Sequence, residues 1–216
     1  LAGQVEPLSS YVDAFSPTLS QGSWDQYAYD PAAAKTAFDA AVAETGKECS
    51  VVFSTTSNNA ARVTMSELFV GMFEEAGIPY ENDLEDSQLY FGETFSNGTW
   101  DVGEWAWVGS PGLSGLIGIH DVWDPESPPP DGNNAYNWGT PGSSVIDDNT
   151  ARYAEIRDEM NATVDDAELI ALLNEAENML ADNLVIIPLY ARLVTAAVWA
   201  DEIGNFKHNP TSASHT

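Results

Sequence analysis

The chain has very few positive charges. Its 216 residues include only 7 lysines and arginines against 34 aspartates and glutamates, a formal net charge of −27. Such an excess of negative charge repels phosphate backbones and anionic membrane surfaces. We therefore exclude nucleic acid as a partner and interpret the charge as a solvated acidic surface, typical of a saline or acidic habitat.

Cysteine and the usual catalytic motifs are scarce as well. Cys49 is the only cysteine, which excludes an internal disulfide and a thiolate metal cluster. The histidines His120, His208 and His215 form no zinc-type spacing, and the sequence has neither a G-x-S-x-G elbow nor a phosphate-binding glycine loop. We predict no metal site, no cofactor and no catalytic residue, and we interpret His120 as a loop residue.

Long apolar runs are also missing, since no stretch approaches the roughly 20 residues that span a bilayer. The first residues carry neither the basic nor the apolar region of a signal peptide, and the sequence does not start with methionine. We therefore expect either a cytoplasmic protein or a targeting segment that lies outside this sequence, and the start without methionine favours the second.

Strand and helix patterns alternate along the chain, which favours an α/β layer with parallel pairing. Asp30 is suited to cap a helix that Gly46 ends, and Trp100–Val108 is interpreted as a strand central to the sheet. Residues 109–150 are predicted to be mostly loop. Helices are predicted at 31–45, 60–76, 86–95, 150–161 and 165–181. Strands are predicted at 49–54, 80–82, 100–108, 184–190 and 194–199.

Five of the seven tryptophans lie between residues 100 and 138, and three of them lie within Trp100–Trp107. Such a cluster ending in a loop is typical of a surface that holds a ligand, or of a strand whose indoles fill a core, and residue types leave both open. The acidic residues near these rings could also supply the acid and base carboxylates of a glycosidase. We interpret Asp101 and Glu104 as solvated or capping residues. The carboxylates near the tryptophans are Glu93, Asp101, Glu104, Asp121 and Asp124.

Several short motifs, in a fixed order, resemble one protein family. They are Tyr29-Asp30-Pro31-Ala32-Ala33-Ala34-Lys35, Ala76-Gly77-Ile78-Pro79-Tyr80, Gly98 with Trp100, Asp101 and Trp105, Asn133–Trp138, and Ile187-Pro188-Leu189-Tyr190. Together they resemble the C-terminal lobe of family 5 extracytoplasmic solute-binding proteins of oligopeptide and dipeptide ABC transporters, over about residues 10 to 206.

The resemblance implies an α/β fold, a lobe like that of a type II periplasmic binding protein, with a mixed, mostly parallel sheet flanked by helices. It implies an irregular lead-in over 1–29, a C-terminal ligand-binding lobe over 30–206 and a polar tail over 207–216. It also implies a protein that is not an enzyme and works outside the cytoplasm, held at the membrane through the transporter or a lipid anchor. Its partners would be the N-terminal lobe of the same parent protein, an ABC permease and a peptide-like or other small organic ligand.

The same resemblance places the ligand against the loop after the tryptophan strand. The ligand-binding candidates are Trp105, Trp107, Val108, Gly109, Ser110, Tyr136, Asn137 and Trp138. Val108 stands where oligopeptide binders of the family carry an aspartate for the ligand's ammonium group, so a peptide with a free amine needs Glu104 or Asp121 as a substitute. Two alternatives remain: a carbohydrate-binding module or glycoside hydrolase using Trp100–Trp107 as a sugar platform, and a structural domain without a small ligand.

Overall fold

The computed structural model describes residues 5–12, 19, 22–47, 49–107, 112–129, 131–143, 147–191, 199 and 201–205. The chain forms two compact units. The sheet unit comprises Tyr27–Trp107 with Pro129–Asp131, and the helical unit comprises Leu1–Gln26, Val108–Pro128 and Gly132–Thr216. The division into lead-in, lobe and tail after residues 29 and 206 remains a prediction, and the tail lies outside the described residues.

Two helices of the sheet unit begin and end where the sequence predicts. In α1 (Pro31–Thr45), the side chain of Asp30 caps the first turn, and Gly46 ends the helix with a left-handed φ of 65°. In α2 (Ala60–Ala76), the Asn59 side chain accepts from the first free backbone N–H groups. Side-chain capping satisfies donors that have no partner inside the helix, which is why these boundaries can be read from the sequence.

The described part of the sheet has three strands, β1 (Val51–Thr56), β2 (Tyr80–Glu85) and β3 (Val102–Gly103), in the order β2-β1-β3. Both pairings are parallel, and α2 makes the crossover between β1 and β2. This confirms the predicted α/β class with a parallel sheet flanked by helices.

The predicted helix over 86–95 forms, but it changes from α-helical to π-helical hydrogen bonding along its length. A short α-helix, α3 (Ser87–Leu89), continues as a π-helical turn over Tyr90–Thr94. The wider turn closes with the Phe95 backbone N–H donating to the Tyr90 carbonyl at 2.7 Å. Single π-helical turns are frequent at functional sites.

The predicted strand Trp100–Val108 is much shorter in the structure. Among the described residues, Val102–Gly103 is the part that pairs in the sheet, at the edge of the three described strands. The chain makes one more bond to β1, from the Glu104 N–H to the Ser54 carbonyl at 3.0 Å, and then leaves the ladder. Aromatic residues raise strand propensity, but here their rings pack on one another instead of alternating across a sheet.

The helical unit contains α4 (Leu113–Ile119), α5 (Asp148–Ala162) and α6 (Asp166–Asp182). The predictions for α5 and α6 are confirmed, while the predicted loop after residue 109 contains α4 and a 3₁₀ turn over His120–Trp123. The fully buried side chains of its core are Val12, Leu116, Trp123, Tyr153, Ile156, Met160, Leu173, Ala176, Leu180 and Ala181.

The predicted strand Leu184–Tyr190 is also wrong. Its one bridge is antiparallel, between Tyr190 and Pro7, and Leu184 has a left-handed φ of 49° that interrupts an extended chain. The predicted strand Val194–Trp199 lies outside the described residues except for Trp199. Across the residues with a described structure, every helix is too short or too polar to span a bilayer.

Candidate ligand-binding surface

The carboxyl ends of the parallel strands bring polar and aromatic groups to one edge of the sheet. Thr55 and Thr56 end β1 and are buried, and Glu104 follows β3 directly. Because parallel strands end on the same side, the segment from Glu104 to Trp107 leaves the sheet at the edge where α2 begins. Open α/β sheets bind ligands at this edge.

A buried ion pair lies at this edge. The Nε atom of Arg62 lies 3.3 Å from Oε2 of Glu104, and Nη1 of Arg62 donates to the Thr56 hydroxyl at 2.9 Å. Glu104 is only 8% exposed, so its interpretation as a solvated or capping residue is wrong. The negative charge is tolerated because the Arg62 guanidinium and the Thr55 hydroxyl bind it in place of water.

An aromatic cluster covers the segment after β3. We use this name for Tyr90, Phe91, Phe95, Trp100, Trp105 and Trp107. Phe95 is its centre: its ring centroid lies 4.6 Å from that of Trp105 and 6.0 Å from that of Trp107, both edge to face. Trp100 packs edge to face on Trp105 at 5.0 Å. Edge-to-face pairs hold rings in defined orientations, so the cluster is a structured surface.

Trp107 is the exposed member of this tryptophan group, with 37% of its surface open to solvent, while Trp105 is half-buried. The structure therefore lies between the two interpretations of the tryptophan segment: the Trp105 indole is partly covered by other rings, and the Trp107 indole is exposed. A large exposed ring supported by other rings is the kind of rigid contact surface that ligand sites use.

Gly103 allows the rings to approach the strand. A Cβ atom at this position would lie 2.6 Å from Cζ3 of Trp105 and 2.8 Å from the Tyr90 hydroxyl oxygen. Neither distance is compatible with a side chain, so glycine is required where β3 passes beneath the cluster.

The second group of candidates lies in the helical unit. Trp138 is 6% exposed and packs edge to face on Tyr153 at 5.0 Å, so its ring belongs to the core of that unit. Asn137 is exposed and has a left-handed φ of 57°, and Tyr136 is half-buried. The buried amide of Asn134 holds this turn by donating to the Trp138 carbonyl at 3.0 Å.

The structure therefore brings together Trp105 and Trp107 of the predicted site, through Phe95. Val108, Gly109 and Ser110 lie outside the described residues. Sequence analysis missed Phe91, Phe95 and Arg62. Two signals in the sequence point to them. Phe91 and Phe95 are four residues apart, which places them on one face of a helix. Arg62 lies in the first turn of its helix, where the helix dipole disfavours a positive charge.

His120 does not fit the predicted loop. It is 1% exposed, and its Nδ1 atom lies 2.6 Å from the Tyr153 hydroxyl oxygen. Burial lowers the pKa of His120 from 6.5 to about 4, so the ring is neutral at pH 7. Within the described ranges, no three His, Cys, Asp or Glu side chains are grouped closely enough to hold a metal ion.

The remaining glycosidase candidates divide into paired and exposed carboxylates. Asp121 receives a hydrogen bond from Nε of Arg157 at 3.0 Å, and Asp124 lies 3.5 Å from the same atom. Glu93 and Asp101 are exposed on the sheet unit. Together with the pairing of Glu104, this leaves the aromatic cluster as the feature at the sheet edge that is best suited to hold a ligand.

Comparison with known proteins identifies the family. The profile of bacterial extracellular solute-binding proteins, family 5, middle region, matches residues 1–114. The chain belongs to this family. A comparison with curated protein sequences found no match.

Solved structures agree with the family 5 assignment in fold. The ABC transporter substrate-binding protein CtaP of Listeria monocytogenes is 16% identical, with a TM-score of 0.66 over 86% of this chain and 34% of that one. The periplasmic murein tripeptide-binding protein MppA is 17% identical, with a TM-score of 0.65 over 88% and 34%. A periplasmic oligopeptide-binding protein of Thermotoga maritima, bound to mannohexaose, is 16% identical, with a TM-score of 0.60 over 87% and 35%.

These likenesses confirm the predicted periplasmic-binding-protein fold. The family 5 chain described here spans only about a third of each of these proteins. Family 5 proteins are extracellular binding proteins of ABC transporters, as the motif resemblance predicts.

Proposed function

We propose that this chain is one ligand-contacting lobe of a longer solute-binding protein, which captures a small organic ligand outside the cytoplasm and delivers it to an ABC permease. The observation that carries the proposal is the aromatic cluster at the carboxyl edge of the parallel sheet, with Trp107 exposed and supported by Phe95. The family supports the transport role, and the partial coverage of its relatives supports the single lobe.

In this proposal Trp107 makes the main stacking contact, and Trp105 holds the orientation of the surface from behind. The family resemblance adds Val108, Gly109 and Ser110 as further ligand-binding candidates. The family resemblance adds Tyr136 and Asn137 of the helical unit as further ligand-binding candidates, and Trp138 is the buried support of their turn. No residue of the site has a catalytic role in this proposal.

The ligand class follows from what the surface offers. The aromatic rings offer broad faces, and Arg62, the basic residue at this edge, is already bound to Glu104. We therefore expect a ligand held by stacking and backbone contacts, either an oligosaccharide or a peptide whose amine is modified. Among similar structures, one protein is described with mannohexaose and another as a murein tripeptide binder, so both chemistries belong in a screen.

The test is a thermal-shift screen of the full-length protein with manno-oligosaccharides, free di- to hexapeptides and N-acetylated peptides, followed by calorimetry on each hit. Trp107→Ala should weaken binding by about 1–3 kcal/mol, roughly 5- to 150-fold, because the stacking face is lost. The unfolding free energy should change by less than the roughly 3–5 kcal/mol expected for a buried tryptophan.

Trp199→Ala is the matched control, because this indole is 78% exposed and lies in the helical unit, outside the cluster. It should leave the affinity unchanged. Equal affinities of the two variants would refute the assignment of Trp107, and hydrolysis of an oligosaccharide during the assay would favour the glycoside hydrolase.

A further inference from the structure

Arg62 occupies an unfavourable place for a cation. It lies in the first turn of α2, where the helix dipole is positive, and it is buried. Both the dipole and the loss of water oppose a guanidinium there. Its presence therefore requires compensating contacts.

Those contacts join three separate elements around the aromatic cluster. Arg62 binds Thr56 at the end of β1 and Glu104 after β3, and its Cζ atom lies 5.8 Å from the centre of the Phe91 ring in the π-helical turn. A planar guanidinium with donors on several sides can make these contacts at once, whereas a lysine ammonium cannot.

Glu104 transmits this restraint to the tryptophans. The Thr55 hydroxyl lies 2.8 Å from the Glu104 carbonyl oxygen and 2.9 Å from its carboxylate. The backbone N–H of Glu104 is bound to β1 as well. Backbone and side chain of Glu104 are thus both fixed, one residue before Trp105 and three before Trp107.

A contribution to stability alone does not account for this arrangement. The cost of removing two charges from water offsets most of their attraction, so buried ion pairs can often be replaced by apolar pairs without loss of stability. What such a pair does provide is a restricted geometry, because each partner must keep its place to avoid an unpaired buried charge.

We propose that Arg62 is a positioning residue, which through Glu104 and Phe91 holds the Trp105–Trp107 segment in its binding orientation before a ligand arrives. The role in binding rests on the function proposed above. The positioning itself does not, because it is a property of the free protein.

The test is ¹⁹F NMR of the full-length protein labelled with 5-fluorotryptophan, without any ligand. Single Trp→Phe variants assign the resonances of Trp105, Trp107 and Trp199. Arg62→Lys keeps the charge but loses the planar guanidinium. Arg62→Met combined with Glu104→Leu replaces the ion pair with apolar side chains. We expect both variants to shift or broaden the Trp105 and Trp107 resonances and to leave the Trp199 resonance in place.

The matched control is Arg157→Lys, which alters an arginine–carboxylate pair of the helical unit, with Nε 3.0 Å from Asp121. It should leave Trp105 and Trp107 unchanged. The proposal is overturned if these two resonances keep their wild-type positions and widths in either folded Arg62 variant. The proposal is also overturned if the chemical shifts of all the tryptophan resonances converge in both variants, because the ion pair would then be required for folding as a whole.

The outcome is independent of the ligand screen. A screen without hits would contradict the proposed function while leaving the ¹⁹F result valid. Unchanged ¹⁹F spectra together with tight ligand binding would contradict only the role of Arg62.

Discussion

Acid should destabilise the protein through His120, a histidine that has no role in the proposed site. Its ring is enclosed by the core of the helical unit, edge to face with Trp123 at 5.4 Å and hydrogen-bonded to Tyr153. The nearest charged groups in sequence, Asp121 and Asp124, are both engaged with Arg157. Burial is the cause of the lowered pKa of about 4, against the ordinary value of 6.5.

The sign and the size of the effect follow from these two pKa values. Above pH 6.5 the ring is neutral in both states, and the full stability is present. Between pH 6.5 and 4 the unfolded chain binds a proton that the folded chain does not, so stability falls as the pH falls. One pKa unit corresponds to about 1.4 kcal/mol, and the interval from 6.5 to about 4 therefore gives a loss of roughly 3 kcal/mol.

Urea unfolding at several pH values between 7.5 and 4 measures this loss. Other pH-dependent contributions are common to the wild type and to His120→Asn, whose amide nitrogen can replace Nδ1 beside Tyr153. The difference in unfolding free energy between the two proteins should therefore change by roughly 3 kcal/mol in favour of the variant as the pH falls from 7.5 to 4.

Two results would refute the reasoning. One is a pH dependence of stability that is the same in both proteins. The other is an NMR titration of the folded wild type in which the His120 imidazole has a pKa above 6, and this measurement does not depend on the variant folding.

Two further changes test how loops and helix ends are fixed. Gly139→Ala should destabilise by more than about 2 kcal/mol, because the backbone has a left-handed φ of 69° and the new Cβ atom would lie 2.7 Å from Cβ of Thr150. Gly142→Ala is its control: φ is also left-handed, but no atom of the described residues lies within 4 Å of the new Cβ, so only the conformational cost of about 1–2 kcal/mol should appear. Asp147→Ala should cost about 1 kcal/mol, because the side chain accepts from the Asn149 and Thr150 N–H groups at the start of α5, whereas Asp147→Asn should retain most of that stability. Urea unfolding at pH 7.5 measures all four, and equal losses within either pair would contradict its explanation.

The tryptophan segment shows where sequence reasoning ends. The residues from Trp100 to Trp107 have the aromatic content of a strand, and the sequence correctly marked them as unusual. Their conformation depends on Phe95 and Tyr90, which come from the preceding π-helical turn. No local pattern encodes that contact, so the sequence predicts a longer strand than the structure contains.

Charge and burial show the same limit. The sequence displays 34 carboxylates, and nothing in the neighbours of Glu104 distinguishes it from the solvated majority. What distinguishes Glu104 is Arg62, which lies 42 residues earlier in the chain and beside it in the folded protein. His120 likewise stands beside Asp121 in sequence, whereas Trp123 and Tyr153 contact its ring in the folded protein.

The sequence alone determined the helices α1, α2, α5 and α6, the parallel pairing of β1 and β2, and the family motifs, because caps, breaks and periodicity act over a few residues. Tertiary structure decided which aromatic rings meet, which of them remain exposed, and which carboxylate is buried with an arginine. Those outcomes arise from contacts between distant parts of the chain, where packing and desolvation outweigh local preference.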